Sequence, residues 1–365
     1  MGNINYSETK FLKIKEPTVL KSGKTLPCID IAYETYGKLN ENKDNAILVL
    51  HALTGSAHAA YYHKDTNKPG WWDDMIGSGK AFDTNKYFVI SSNILGGCYG
   101  TTGPASINPE TGKQYALDFP VVTIEDIVNV QKKLIDYLGI KKLIVAGGSM
   151  GGMQAIEWSI KYPDTVKSTI LIATSARLNA QGIAFNAVAR NAILTDVNFN
   201  NGNYYDKEKT PDSGLSIARM IGHITYLCEE AMYNKFGREF KTTPSFDFGI
   251  DFQVESYLAH QGKVFVDRFD ANSYLYITKA VDYYDPIKEH GSLEEAFKNT
   301  NSRFLVISFS TDWLFTTEQS KQMVNALVKM NKDVSFVELE SKCGHDAFLL
   351  EFEKQTKIIK SFLKG

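Results

Sequence analysis

Leu143-Ile-Val-Ala-Gly-Gly-Ser-Met-Gly-Gly152 is the stretch on which the fold turns. Four apolar residues lead into a glycine-rich turn. A helical pattern, Met153–Tyr162, leads out of it until Pro163 stops it. Inside lies G-x-S-x-G, as Gly147-Gly148-Ser149-Met150-Gly151. A strand before and a helix after give that motif its meaning, because the turn between them holds the serine in a strained conformation. The flanking glycines make room where a β-carbon would clash. The Ser149 hydroxyl then stands above a sheet edge with the positive end of a helix beneath it.

Working outward, short apolar runs bounded by turn signals recur. Ile29–Ala32, Ala46–Leu50, Tyr87–Ile90, Leu143–Ala146, Thr169–Ile172, Phe304–Phe309 and Val334–Leu339 read as strands. Several are apolar almost throughout, as in a parallel sheet covered on both faces. Thr123–Leu138 has helical periodicity, a Thr123/Asp126 capping box and Gly139 at the C-terminal cap position. Strand–helix alternation predicts an open α/β sheet. It breaks at about residue 178 and resumes at about 303. The expectation is therefore a core of residues 1–177 and 303–365, with residues 178–302 inserted as a helical cap over the carboxyl edge, where such sheets bind ligands. Ser213–Asn234 and Leu293–Asn299 read as helices within the cap.

A serine nucleophile needs a base, and the base needs an orienting carboxylate. In this strand–turn–helix architecture they follow in the order acid, then histidine. Asp312 comes directly after the strand Phe304–Phe309. His345 lies in a glycine-containing loop after the strand Val334–Leu339. The chain has seven histidines, and no other stands in such a loop after the last strand. An oxyanion hole needs two backbone N–H groups. Met150, the residue after the nucleophile, and Leu53, in the loop after Ala46–Leu50, are the candidates. His51, His58 and His63 cluster in sequence, but no carboxylate or cysteine joins them at ligand spacing, so no metal site is expected. His223, His260 and His290 read as surface or packed cap residues. Cys343, two residues before His345, reads as a small packing residue.

The 365 residues are 43% hydrophobic and 22% charged, with a formal net charge of −2 and no long run of one sign. That balance points to a globular protein and away from nucleic-acid or anionic-membrane partners. No run approaches the roughly 18 apolar residues of a membrane span. Met1–Lys15 lacks the apolar segment of a signal peptide, and Tyr6 spoils a myristoylation signal. Four scattered cysteines fit reduced thiols in a cytoplasm.

His51-Ala-Leu-Thr-Gly55, Gly96-Gly-Cys-Tyr-Gly-Thr-Thr-Gly-Pro104, Ser106-Ile-Asn-Pro-Glu-Thr-Gly112, Asp118-Phe-Pro-Val-Val-Thr-Ile124 and Gly147-Gly-Ser-Met-Gly-Gly-Met-Gln154 together resemble the homoserine O-acetyltransferases. These are acyl-CoA-dependent enzymes of methionine biosynthesis with the α/β-hydrolase fold: a mostly parallel sheet flanked by helices, with a helical cap. The likeness runs from about Lys13 to the C-terminus. It implies Ser149 as nucleophile, Asp312 as acid and His345 as base. It also implies Arg219 and Asp346 as the residues that hold the carboxylate and ammonium of homoserine. It implies acetyl-CoA as co-substrate without a bound cofactor or metal, transfer through an acyl-serine, and a homodimer built through cap helices. Ala105 stands where serine is frequent in the family, which leaves the acyl donor open. Homoserine O-succinyltransferases, serine O-acyltransferases and esterases share the scaffold and are the alternatives.

Overall fold

A computed structural model describes residues 5–244 and 246–364. Its centre is an eight-stranded sheet: β1 (Lys10–Ile14), β2 (Ile29–Tyr36), β3 (Ala46–Leu50), β4 (Phe88–Ser92), β5 (Leu143–Gly148), β6 (Val166–Ile172), β7 (Arg303–Phe309) and β8 (Val334–Leu339). The spatial order is β8-β7-β6-β5-β3-β4-β2-β1. The six strands from β8 to β4 run parallel; β2 is antiparallel to β4, and β1 to β2.

The unbroken apolar runs are explained by two cores, one on each face. Along β3, Leu48 and Leu50 enter one core while Ile47 and Val49 enter the other. Strand β7 does the same, with Phe304 and Val306 on one side and Leu305, Ile307 and Phe309 on the other. Successive strand side chains point to opposite faces, so a strand covered on both sides must be apolar at every position. Each such Val, Leu, Ile or Phe contributes about 1.5–3 kcal/mol by leaving water.

Helices α1 (Ile124–Tyr137) and α2 (Met150–Lys161) pack together on one face. The expected capping box is formed: Thr123 Oγ1 accepts from the Asp126 amide at 3.2 Å, and Asp126 Oδ2 accepts from the Thr123 amide at 2.9 Å. Between β6 and β7 come α3 (Ala180–Leu194), α4 (Asp212–Tyr226), α5 (Glu229–Phe236), α6 (Gln253–Val266), α7 (Ala271–Tyr283), α8 (Pro286–His290) and α9 (Leu293–Phe297). The chain closes with α10 (Thr317–Lys329) and α11 (Phe352–Lys364).

Two sequence expectations need correction. Ser213–Asn234 is not one helix, because Leu227 is extended (ψ 144°) and Cys228 caps a second helix, its sulfur accepting from the Ala231 amide at 3.4 Å. Gly344 packs into that break, against the Cys228 amide and the Tyr226 carbonyl. The other correction is an omission: β1 is a short edge strand of mixed polarity, and it carries no run that marks it in sequence.

Candidate active site

Ser149, Asp312, His345 and Leu53 all follow the carboxyl ends of parallel strands, β5, β7, β8 and β3, so the sheet gathers them at one edge. Ser149 is the single residue between β5 and α2, with φ 57° and ψ −127°. A side-chain-bearing residue avoids that region unless the surroundings impose it. Here they do. The Ser149 amide donates to the Ile172 carbonyl at 3.0 Å, and its carbonyl accepts from Thr174 Oγ1 at 2.7 Å. A β-carbon on Gly151 would collide with the Leu50 carbonyl, and one on Gly147 with the Gly151 backbone. The turn can therefore close this tightly only with glycine at both positions.

His345 Nε2 lies 2.9 Å from Ser149 Oγ, and His345 Nδ1 lies 2.8 Å from Asp312 Oδ2. The other Asp312 oxygen accepts from the Leu314 and Phe315 amides at 3.0 and 2.9 Å. An ionised carboxylate only accepts, so Nδ1 carries the proton and Nε2 offers its lone pair to the serine hydroxyl. Burial alone would push the imidazole down. The Asp312 charge and hydrogen bond outweigh it and hold His345 above its ordinary value. Phe315, Phe348 and Tyr226 surround the ring and keep water from competing for the pair.

Leu53 and Met150 line the same cleft as Ser149. Among the described residues neither backbone N–H has an acceptor. The loop that carries Leu53 is anchored from below. Gln154 on α2 donates to the His51 carbonyl at 3.2 Å and accepts from Gln131 at 2.7 Å, and Gln131 accepts from Trp158 Nε1 at 2.8 Å. In sequence Gln154 is marked only by its place in the Gly147–Gln154 segment, because its partners His51 and Gln131 are distant along the chain.

Arg219 and Asp346 carry opposite charges beside this edge. Arg219 Nη1 donates to Thr54 Oγ1 at 3.3 Å, and its guanidinium lies over the Phe265 ring at 4.8 Å and the Tyr226 ring at 5.7 Å. Asp346 directly follows His345. Burial raises its carboxyl against the pull of His345, Arg219 and Lys235. Among the described residues the two form no ion pair with each other. The cleft over Ser149 is walled mainly by Leu178, Phe185, Ile221, Tyr274 and Phe315. Neither Arg219 nor Asp346 lines it.

The sequence pattern of the alpha/beta hydrolase fold family matches residues 45–352. The chain is 58% identical to the homoserine O-acetyltransferase of Methanobrevibacter ruminantium, over 98% of this chain and 73% of that protein. It belongs to the homoserine O-acetyltransferase family. Among solved structures, the homoserine O-acetyltransferase of Bacillus anthracis superposes with a TM-score of 0.93 at 32% identity, covering 99% of this chain and 98% of that one. Esterase E22 superposes with a TM-score of 0.89 at 35% identity, covering 98% and 100%.

Of the remaining histidines, His223 is packed and His260 and His290 are exposed, as their sequence reading has it, while the first cluster needs a correction. A carboxylate does join the first cluster: Glu34, fully buried on β2, lies 3.1 Å from His58 Nδ1 and 3.8 Å from His63 Nε2. Its distance in sequence hid it. Tyr36, Ser7 and Thr9 share this hydrogen-bonding cluster. Among the described residues no three ligating side chains are placed to hold a metal. His51 is buried and pushed down to about 4 by that burial. His223 is also buried, with Nδ1 2.9 Å from Tyr257 Oη. Burial, joined by Arg219, Lys235 and Arg268, lowers it to about 3. Cys343 is half-buried with a free thiol. Among the described residues, no helix is long and apolar enough to cross a membrane.

Proposed function

We propose that the protein transfers the acetyl group of acetyl-CoA to the hydroxyl of L-homoserine, the first committed step of methionine biosynthesis. Membership of the family carries this reading, and the Ser149–His345–Asp312 geometry supports it. Ser149 Oγ attacks the thioester carbonyl as its proton passes to His345 Nε2, and the developing oxyanion is received by the Leu53 and Met150 N–H groups. The carbon–sulfur bond breaks, and the CoA thiolate takes the proton from His345. The homoserine hydroxyl then gives its proton to His345 and attacks the acyl-serine. O-acetylhomoserine leaves and Ser149 recovers its proton. No metal enters these steps.

Arg219 and Asp346 hold the acceptor in this reading. A guanidinium fork suits a carboxylate, and a carboxylate suits an ammonium. Residues 178–302 act as the cap, the enzyme works in the cytoplasm, and two copies pair through cap helices. An esterase is the second reading, favoured by the match to esterase E22. The two opposite charges beside the triad favour an amino-acid acceptor over water.

The test offers purified protein acetyl-CoA or succinyl-CoA with homoserine or serine and identifies the product by mass. O-acetylhomoserine supports the proposal. O-succinylhomoserine, an acylserine, or acetate alone replaces it with the corresponding alternative. Arg219→Ala should lower kcat/KM for homoserine at least tenfold, since losing one partner of a charge-assisted contact costs about 2–5 kcal/mol. The acetyl-CoA burst should persist. Unchanged homoserine kinetics would remove Arg219 from the acceptor site.

A further inference from the structure

Asn186, on the α3 wall of the cleft over Ser149, is held in a fixed orientation by a buried ion pair. Its Nδ2 donates to Asp282 Oδ1 at 2.7 Å, and the other Asp282 oxygen lies 2.7 Å from Arg190 Nη2. Arg190 and Asp282 side chains are 9% and 7% exposed, so the pair is locked between α3 and α7. The amide cannot flip. A carboxylate accepts and never donates when ionised, so the NH₂ of Asn186 must face Asp282. Its carbonyl oxygen is left over as an acceptor at the cleft, with no partner among the described residues. That acceptor stands in a wall that is otherwise mostly apolar, and among the described residues no charged side chain lines the cleft. A small number of oriented polar groups among apolar ones is how a pocket sets specificity, and Asn186 is one of them, with Thr225, Tyr226 and Tyr274.

Resting on the acyltransfer reading above, we infer that Asn186 is a specificity residue for the acyl donor, accepting an amide N–H from the arm that carries the thioester. Acetyl-CoA carries two such amides; a simple thioester carries none. Arg190 and Asp282 are positioning residues, acting only through the orientation of Asn186. The arrangement also separates the two substrates: the uncharged cleft receives the neutral acyl arm, while Arg219 and Asp346 lie outside it.

The experiment compares thiol release from acetyl-CoA with release from S-acetyl-2-mercaptoethanol, in the wild type, Asn186→Leu and Asp282→Asn, without acceptor. One neutral hydrogen bond is typically worth about 0.5–1.5 kcal/mol. The ratio of kcat/KM for the two donors should therefore fall about 3- to 10-fold in Asn186→Leu, mainly through KM for acetyl-CoA. Asp282→Asn should fall in the same direction, since the freed amide can present either end. A ratio equal to that of the wild type in Asn186→Leu overturns the inference, including the case in which both donors slow together. Failure of acetyl-CoA to acylate the wild type instead overturns the acyltransfer reading itself. Circular dichroism and melting of each variant separate a donor effect from loss of the α3–α7 contact.

Discussion

At Ser149 the residue's own preference and its position in the chain disagree. A β-carbon at φ 57° and ψ −127° is strained, and such a residue costs on the order of 1–3 kcal/mol. Glycine feels no such strain. Elsewhere alanine is more stabilising than glycine by about 0.5–1 kcal/mol, because glycine loses more backbone freedom on folding. Here the order should invert. Ser149→Gly should be more stable than Ser149→Ala in denaturant titration, while both lose turnover. The ordinary order would mean that the turn is relaxed. His345 yields a second prediction at this scale. Acylation needs its neutral form, and Asp312 holds its pKa above 6.5, so the rate should fall as pH drops through a midpoint above 6.5. In Asp312→Asn the charge and hydrogen bond of Asp312 are lost and burial is opposed only by the Asp346 charge, so the midpoint should move down. The rate at neutral pH should drop by about 10⁴, as when the triad acid is lost elsewhere. A pH–rate profile of the acetyl-CoA burst checks both. These residues were legible in the sequence because each sits in a strand–loop pattern whose periodicity is local. Glu34 beside His58, Gln154 beneath His51 and Asn186 against Asp282 were not, since each depends on a contact between distant segments.

The elements show the same division. Strand β3 matches its expected limits because burial on both faces of the sheet writes itself into every residue, and β8, a half-exposed edge strand, matches as well. Helix α4 does not match, and its end depends on something outside it. Periodicity continues through Leu227 and Cys228, yet the chain breaks there where the loop bearing Gly344 packs. Gly344 has φ 68°, and a β-carbon on it would lie 2.5 Å from the Cys228 amide nitrogen and 2.8 Å from the Tyr226 carbonyl oxygen. Gly344→Ala therefore combines backbone strain with a collision against backbone. It should cost about 1–3 kcal/mol or more and displace His345, the next residue. Activity should fall further than stability alone explains, at temperatures where the variant is fully folded. Activity loss that simply tracks the unfolded fraction would show that the α4–α5 break does not position the base.

At the scale of the molecule, the proposed cap would cover the cleft and, in the proposed dimer, also face a second copy. Helix α4 lies between α3 and α6. Its inner face supplies Ile221 and Thr225 to the cleft. An adjoining side of the same helix exposes Ile217 (47%) and Ile224 (43%), two turns apart, and the helices packed against it expose Val188 of α3 (58%) and Val264 of α6 (43%). Single exposed apolar residues need no explanation, but several on adjoining helices mark a contact surface. A two-fold dimer presents one patch to its own copy, so a residue near the axis is counted twice. Ile217→Asp and Ile224→Asp would each bury an unpaired carboxylate there, at about 3–5 kcal/mol. That is over a hundredfold in dimer Kd for each change. In the single chain both positions are exposed, so the fold itself should tolerate aspartate. Light scattering during size exclusion should give twice the chain mass for the wild type and the chain mass for the double variant, with matching circular dichroism. A wild type that elutes as a monomer at high concentration, or a double variant that remains dimeric, would place the interface elsewhere or remove it.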